Sequence, residues 1–116
     1  MTNETHQRLL DALVSCQAID QYTTDLDFAA YERDAMVQDA VERRLGIIGE
    51  ALSRAAVLEP GLVDQIPELR HIVGLRNRVI HGYDAVDDEI VWDIVQNKVP
   101  HLQVRIAELL GGEDPR

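Results

Sequence analysis

Val37-Gln38-Asp39-Ala40-Val41-Glu42-Arg43-Arg44-Leu45-Gly46-Ile47-Ile48-Gly49-Glu50-Ala51-Leu52-Ser53-Arg54-Ala55 is the stretch that decides the fold. Val37, Val41, Leu45, Ile48, Leu52 and Ala55 recur every three or four residues, the spacing of one helix face. Glu50 and Arg54 stand at the favourable i,i+4 distance. Gly46 and Gly49 each cost about 1 kcal/mol against Ala inside a helix, so the sequence predicts close approach of a neighbouring helix there.

The same periodicity extends outward in both directions. Leu9, Leu10, Leu13, Val14 and Ile19 predict a first helix over 3–24, which Asp25-Leu26-Asp27 ends. The second helix starts at 28 or at 34 and runs to 57, where Glu59-Pro60-Gly61 stops it. Residues 62–65 fit a short helical turn. Pro67 opens a third helix over 68–81, with Gly82 as its stop. Asp84 to Asp88 supply caps for a last helix over 87–110, whose stripe is Ile90, Val91, Ile94, Val95, Val99, Leu102, Ile106 and Leu109. Pro100 inside it predicts a kink or a split near Lys98. Four or five helices joined by short loops imply an all-α, up-and-down antiparallel bundle. It forms one domain over 1–110, with 111–116 as a flexible tail.

Composition narrows the function. Apolar residues at 46% and charged residues at 28% describe a globular chain, and no apolar run is long enough to span a membrane. The polar start lacks a signal-peptide core, which predicts a cytoplasmic protein. Aromatics at 4% argue against an all-β fold. The single cysteine, Cys16, excludes a disulfide framework and a multi-cysteine zinc site, and its place in a predicted helix suggests a small buried residue. His6, His71, His81 and His101 lack zincin spacing, and Asp87-Asp88-Glu89 reads as a capping run. Trp92 is expected to pack against a neighbouring helix or at an interface. No glycine-rich phosphate loop precedes a helix, so neither a metal nor a nucleotide cofactor is expected.

The net charge is −10, from 11 basic and 21 acidic residues, whereas a generic nucleic-acid binder is basic. The charge is uneven. Residues 69–83 hold Arg70, Arg76 and Arg78 and no acid, an island of +3 that leaves −13 on the rest. Ten of the 11 cations are arginines, whose planar donor fork suits phosphate. An arginine-rich proteome would produce the same bias.

Within that island the apolar stripe Leu69, Ile72, Val73, Val79, Ile80 needs a residue at 76, and arginine stands there. A charge at such a place requires a partner or a ligand. At about 100° per residue, Asn77 and His81 lie about 40° apart, while Arg76 and His81 lie about 140° apart. One helix does not easily aim both Arg76 and His81 at a single phosphate, but two copies across a two-fold axis can. The helix dipole at the C-terminus favours a protonated His81, and the neighbouring arginines oppose it. An imidazole beside guanidinium groups is the equipment for metal-free RNA phosphodiester cleavage. The same residue types also fit a helix-capping histidine and an interhelical salt bridge.

The run Arg76-Asn77-Arg78-Val79-Ile80-His81-Gly82-Tyr83 resembles the Arg-x4-His-x-Tyr signature of HepT-like toxins, a bacterial and archaeal branch of the HEPN superfamily. Residues 37–51, Ile66-Pro67, and Glu89-Ile90-Val91-Trp92-Asp93-Ile94-Val95 are similar to the same family, so the likeness covers nearly the whole chain. The resemblance implies a HEPN-like helical bundle that dimerises through its motif-bearing helices. It further implies the toxin of a type VII-like toxin–antitoxin system, acting as a metal-independent endoribonuclease on RNA. Arg76 and His81 would be the catalytic pair, with Asn77 and Arg78 in support. The implied partner is an MntA-type minimal nucleotidyltransferase antitoxin that transfers AMP to Tyr83, placing an anion beside the cleft. A helical module that only docks such a transferase is the alternative. Without the resemblance, Tyr83 reads as a packing residue beyond the helix stop.

Overall fold

The computed structural model describes residues 1–81 and 87–111, with side chains for 1–75 and 87–111. The described residues form helices only: α1 (Asn3–Thr23), α2 (Phe28–Glu32), α3 (Ala35–Leu58), α4 (Leu62–Gln65), α5 (Leu69–His81), α6 (Asp88–Asn97) and α7 (Val99–Leu109). Five are long. The two short ones, α2 and α4, bracket α3.

The breaks follow from local chemistry. Asp25 adopts a left-handed backbone, φ 66°, and ends α1. Asp27 Oδ1 then accepts the Ala30 amide at 2.8 Å and starts α2. Asp34 Oδ1 accepts the Val37 amide at 3.1 Å and starts α3. The cap at Asp34 therefore divides what hydrophobic periodicity allowed as one helix from residue 28. Gln38 Nε2 donates to the Tyr31 and Glu32 carbonyls at 2.9 and 2.8 Å, which ties α2 back onto α3. Asp87 caps α6 through the Glu89 amide at 2.9 Å. The split expected near Lys98 falls there, between α6 and α7, with Pro100 in the first turn of α7. Proline is tolerated there because a first-turn amide has no intrahelical acceptor.

The core is built on α1 and α3. Leu9, Leu13, Cys16 and Ile19 of α1 meet Val41, Leu45, Ile48, Leu52 and Ala55 of α3, all buried. The two helices run antiparallel. Arg44 donates to Ser15 Oγ at 3.5 Å, and Arg54 pairs with Glu4 at 3.3 Å. Arg54 and Glu4 are about half exposed, so their pair contributes at most about 1 kcal/mol and marks register more than stability. α5 packs on α3, and α7 packs on α1 and α6. Trp92 of α6 stacks on Tyr31 of α2 with ring centroids 5.1 Å apart and lies 6.5 Å from Phe28. No helix among the described residues is long and apolar enough to cross a membrane.

Two sequence expectations are corrected. Val14 and Ile90 were placed in apolar stripes, yet they are 43% and 42% exposed. Gly46 was expected to admit a neighbouring helix, yet a Cβ built there meets nothing within 4 Å. Leu75, only 4% exposed, joins Leu69 and Ile72 on the buried side of α5, and the side chain at position 76, which the sequence places in the same stripe, lies outside the described residues.

The open space at Gly46 gives a direct test. Gly46→Ala should raise the unfolding free energy by about 0.5–1 kcal/mol, the helix-propensity gain with no steric penalty. Urea denaturation checks it, and a loss of stability would show that the helix flank is tighter than the geometry allows.

Candidate functional site

The candidate residues share α5. This helix is amphipathic, with Leu69, Ile72 and Leu75 buried on one side and Arg70, His71 and Gly74 exposed on the other. Its start is tied down from below. Glu68, 8% exposed, lies 3.8 Å from Arg105 of α7, and its backbone carbonyl accepts the Ile72 amide at 3.2 Å. A carboxylate at a helix N-terminus also complements the helix dipole.

The helix continues without a break to His81. Positions 76, 77, 78 and 81 therefore belong to one rigid backbone, as the sequence required. The side chains of Arg76, Asn77, Arg78 and His81 lie outside the described residues, as does Tyr83 altogether. Helical register alone puts positions 70, 74, 77 and 81 within about 60° of one another, along one stripe. The described half of that stripe, Arg70 and Gly74, is exposed. A Cβ built on Gly74 meets nothing within 4 Å.

Beside this stripe a groove of about 260 Å³ opens between α5 and α6, lined by Arg70, His71, Gly74, Leu75, Ile90 and Ile94. The acid-free character of the α5 island marked the neighbourhood in the sequence. The contribution of α6 did not show, because Ile90 and Ile94 read as core residues. A larger cleft of about 680 Å³ lies between α1 and α3. Its lining carries Arg8, Arg43 and Arg44 against Asp11, Glu42 and Glu50, so it presents no net charge to an anion. Arg44 Nε there donates to Tyr22 Oη at 3.3 Å.

The surroundings of α2, α3 and α6 are acidic. Burial raises the Glu42 carboxyl pKa, and the charges of Asp39 and Asp88 raise it further. Burial, Glu42 and Asp88 together push the Tyr31 phenol well above its ordinary value. The Tyr31 hydroxyl is buried without a hydrogen-bond partner among the described residues. Cys16 is buried, and desolvation pushes its thiol up to about 12, so it is a packing residue and not a nucleophile. No group of three or more His, Cys, Asp or Glu among the described residues is placed to hold a metal ion.

The family model described as "Ribonuclease HepT-like" matches residues 12–109, and the chain belongs to this family. Among curated relatives, "Putative RNase MJ0127" of Methanocaldococcus jannaschii is 35% identical over 91% of this chain and 89% of its own length. "Putative RNase MJ1380" of the same organism is 32% identical over 84% of this chain and 89% of its own length. "Probable ribonuclease HepT" of Thermococcus cleftensis is 31% identical over 87% of this chain and 91% of its own length. No solved structure matches the chain.

The acidic cluster sets a pH dependence. Because the folded-state pKa of Glu42 is raised, its ionised form disfavours the fold above that pKa, and protonation at lower pH removes the penalty. Glu42→Gln should therefore raise the melting temperature at pH 7, and the advantage should shrink as pH falls through the carboxylate range. Paired thermal melts at several pH values test this, and an advantage that grows on acidification would contradict it.

Proposed function

We propose that the chain is a metal-independent endoribonuclease, the toxin of a type VII-like toxin–antitoxin system. It acts in the cytoplasm as a homodimer of single domains spanning 1–110, with 111–116 as a tail. The observation that carries this reading is the unbroken α5 across positions 76 and 81. Those positions are about 140° apart on one helix, so a single copy does not easily turn both toward one phosphate. A two-fold pair of α5 helices does, with Arg76 from one subunit and His81 from the other at each linkage.

The chemistry follows from the residue types. His81 takes the proton of a ribose 2′-hydroxyl, or returns a proton to the departing 5′-oxygen. The 2′-oxygen bonds to phosphorus as the bond to the 5′-oxygen breaks, leaving a 2′,3′-cyclic phosphate and a 5′-hydroxyl. Arg76 neutralises the charge that builds on the phosphoryl oxygens, while Asn77 and Arg78 hold the strand. An MntA-type nucleotidyltransferase neutralises the toxin. The Tyr83 oxygen attacks the α-phosphorus of ATP, pyrophosphate leaves, and the phosphodiester formed offers the arginines a competing anion.

The purified protein, with chelator present, should cut RNA to cyclic-phosphate ends. His81→Ala and Arg76→Ala should each lower the rate by about 100-fold or more. Equal cleavage by wild type and both variants would overturn the site assignment. No cleavage by any of them, with the transferase still bound, would support the docking-module reading instead.

Incubation with the transferase and ATP should add AMP mass at Tyr83, and Tyr83→Phe should abolish it. Peptide mapping checks this, and a label on another residue would refute the proposed modification.

A further inference from the structure

We infer that the groove between α5 and α6 is a substrate-holding site. In it, Arg70 and His71 bind a backbone phosphate of the RNA beside the scissile linkage, and Leu75, Ile90 and Ile94 receive a base. The inference rests on the ribonuclease reading and adds a site outside the motif.

The lining is suited to a nucleotide. Arg70 and His71 are exposed, and no hydrogen bond or ion pair ties either to another described residue. Between them and α6 lies an apolar floor, with Leu75 4%, Ile94 7% and Ile90 42% exposed. An isoleucine that exposed, next to a glycine with no Cβ, leaves a flat apolar surface on which a base can lie. Gly74 also leaves the helix backbone bare for close approach.

Charge selects the occupant. In a chain of net charge −10, the groove lining contains Arg70 and His71 and no acid. The nearby acids of α6 are turned away: Glu89 and Asp93 line a separate hollow with Phe28 and Trp92, on the flank toward α2. A polyanion therefore meets a cationic wall without opposing acids on the helix that carries the motif. Arg70 lies about 10 Å along the axis from position 77 and about 16 Å from position 81, a distance a few nucleotides of strand can bridge. The groove holds the strand, and the motif cuts it.

The test uses intact protein and a labelled, mixed-sequence 12-nucleotide 2′-O-methyl RNA, which cannot form the cyclic phosphate. Anisotropy should show Arg70→Ala weakening binding by about 5- to 10-fold. The slope of log affinity against log salt should fall by about 0.7, the loss of one single-strand phosphate contact. Arg70→Lys should restore most of that slope, and Ile90→Ala should lower affinity without changing it. Arg33→Ala, an exposed cation outside the groove, should change neither. With cleavable RNA, Arg70→Ala should raise KM more than it lowers kcat.

Unchanged RNA affinity and slope in Arg70→Ala would overturn the inference, as would a wild type that does not bind the RNA. Unchanged RNA binding with lost transferase binding would assign the groove to a protein partner and overturn it equally. Because this RNA is never cut, an inactive wild type that still shows the Arg70 effect would sink the nuclease reading and leave the groove standing.

Discussion

Everything in this molecule hangs on the antiparallel packing of α3 against α1. Leu45, Ile48 and Leu52 are completely buried, and each such side chain contributes roughly 1.5–3 kcal/mol through the water it sheds. Helix α5 has no comparable independent footing. It lays Leu69, Ile72 and Leu75 against this platform and leaves Arg70, His71 and Gly74 outside. The direction in which α5 presents its polar stripe is thus dictated by the α3 surface beneath it. Polar contacts such as Arg54 with Glu4 fix register, but hydrophobic burial supplies the stability.

Most of the fold was legible because its signals are local. The α3 stripe, the Pro60-Gly61 stop, the Pro67 start and the break near Lys98 each depend on a few neighbouring residues. Capping competition was harder to read: Asp34 restarts helix within a run from residue 28 that periodicity alone permits as continuous. Faces were harder still. Val14 and Ile90 have helical spacing and apolar chemistry, yet the bundle does not cover them, since burial depends on which other helix arrives. Gly46 misled for the same reason. Leu75 is buried although the stripe read from the sequence passed over it, because a three-residue step from Ile72 also reaches the core.

The candidate site was legible as a motif and a charge island, not as a surface. Sequence spacing separates Arg76 from His81 on the helix, which is why the proposed site draws on a second subunit. It does not show that α6 turns Glu89 and Asp93 away while offering Ile90 and Ile94 to the same groove as Arg70. This division of faces leaves the groove lining free of acid in a protein with 21 acids. Its strong negative charge disfavours nonspecific adhesion to nucleic acid.

The decisive measurement mixes two inactive proteins. When Arg76→Ala and His81→Ala subunits exchange, a mixed dimer holds one intact Arg76 and one intact His81 on opposite chains. If each cleft draws these groups from different subunits, the mixture should regain about a quarter of wild-type ribonuclease activity, since half the dimers are mixed and each restores one of two sites. A mixture that stays as inactive as its parents, although subunit exchange is verified by mass, would contradict the shared cleft.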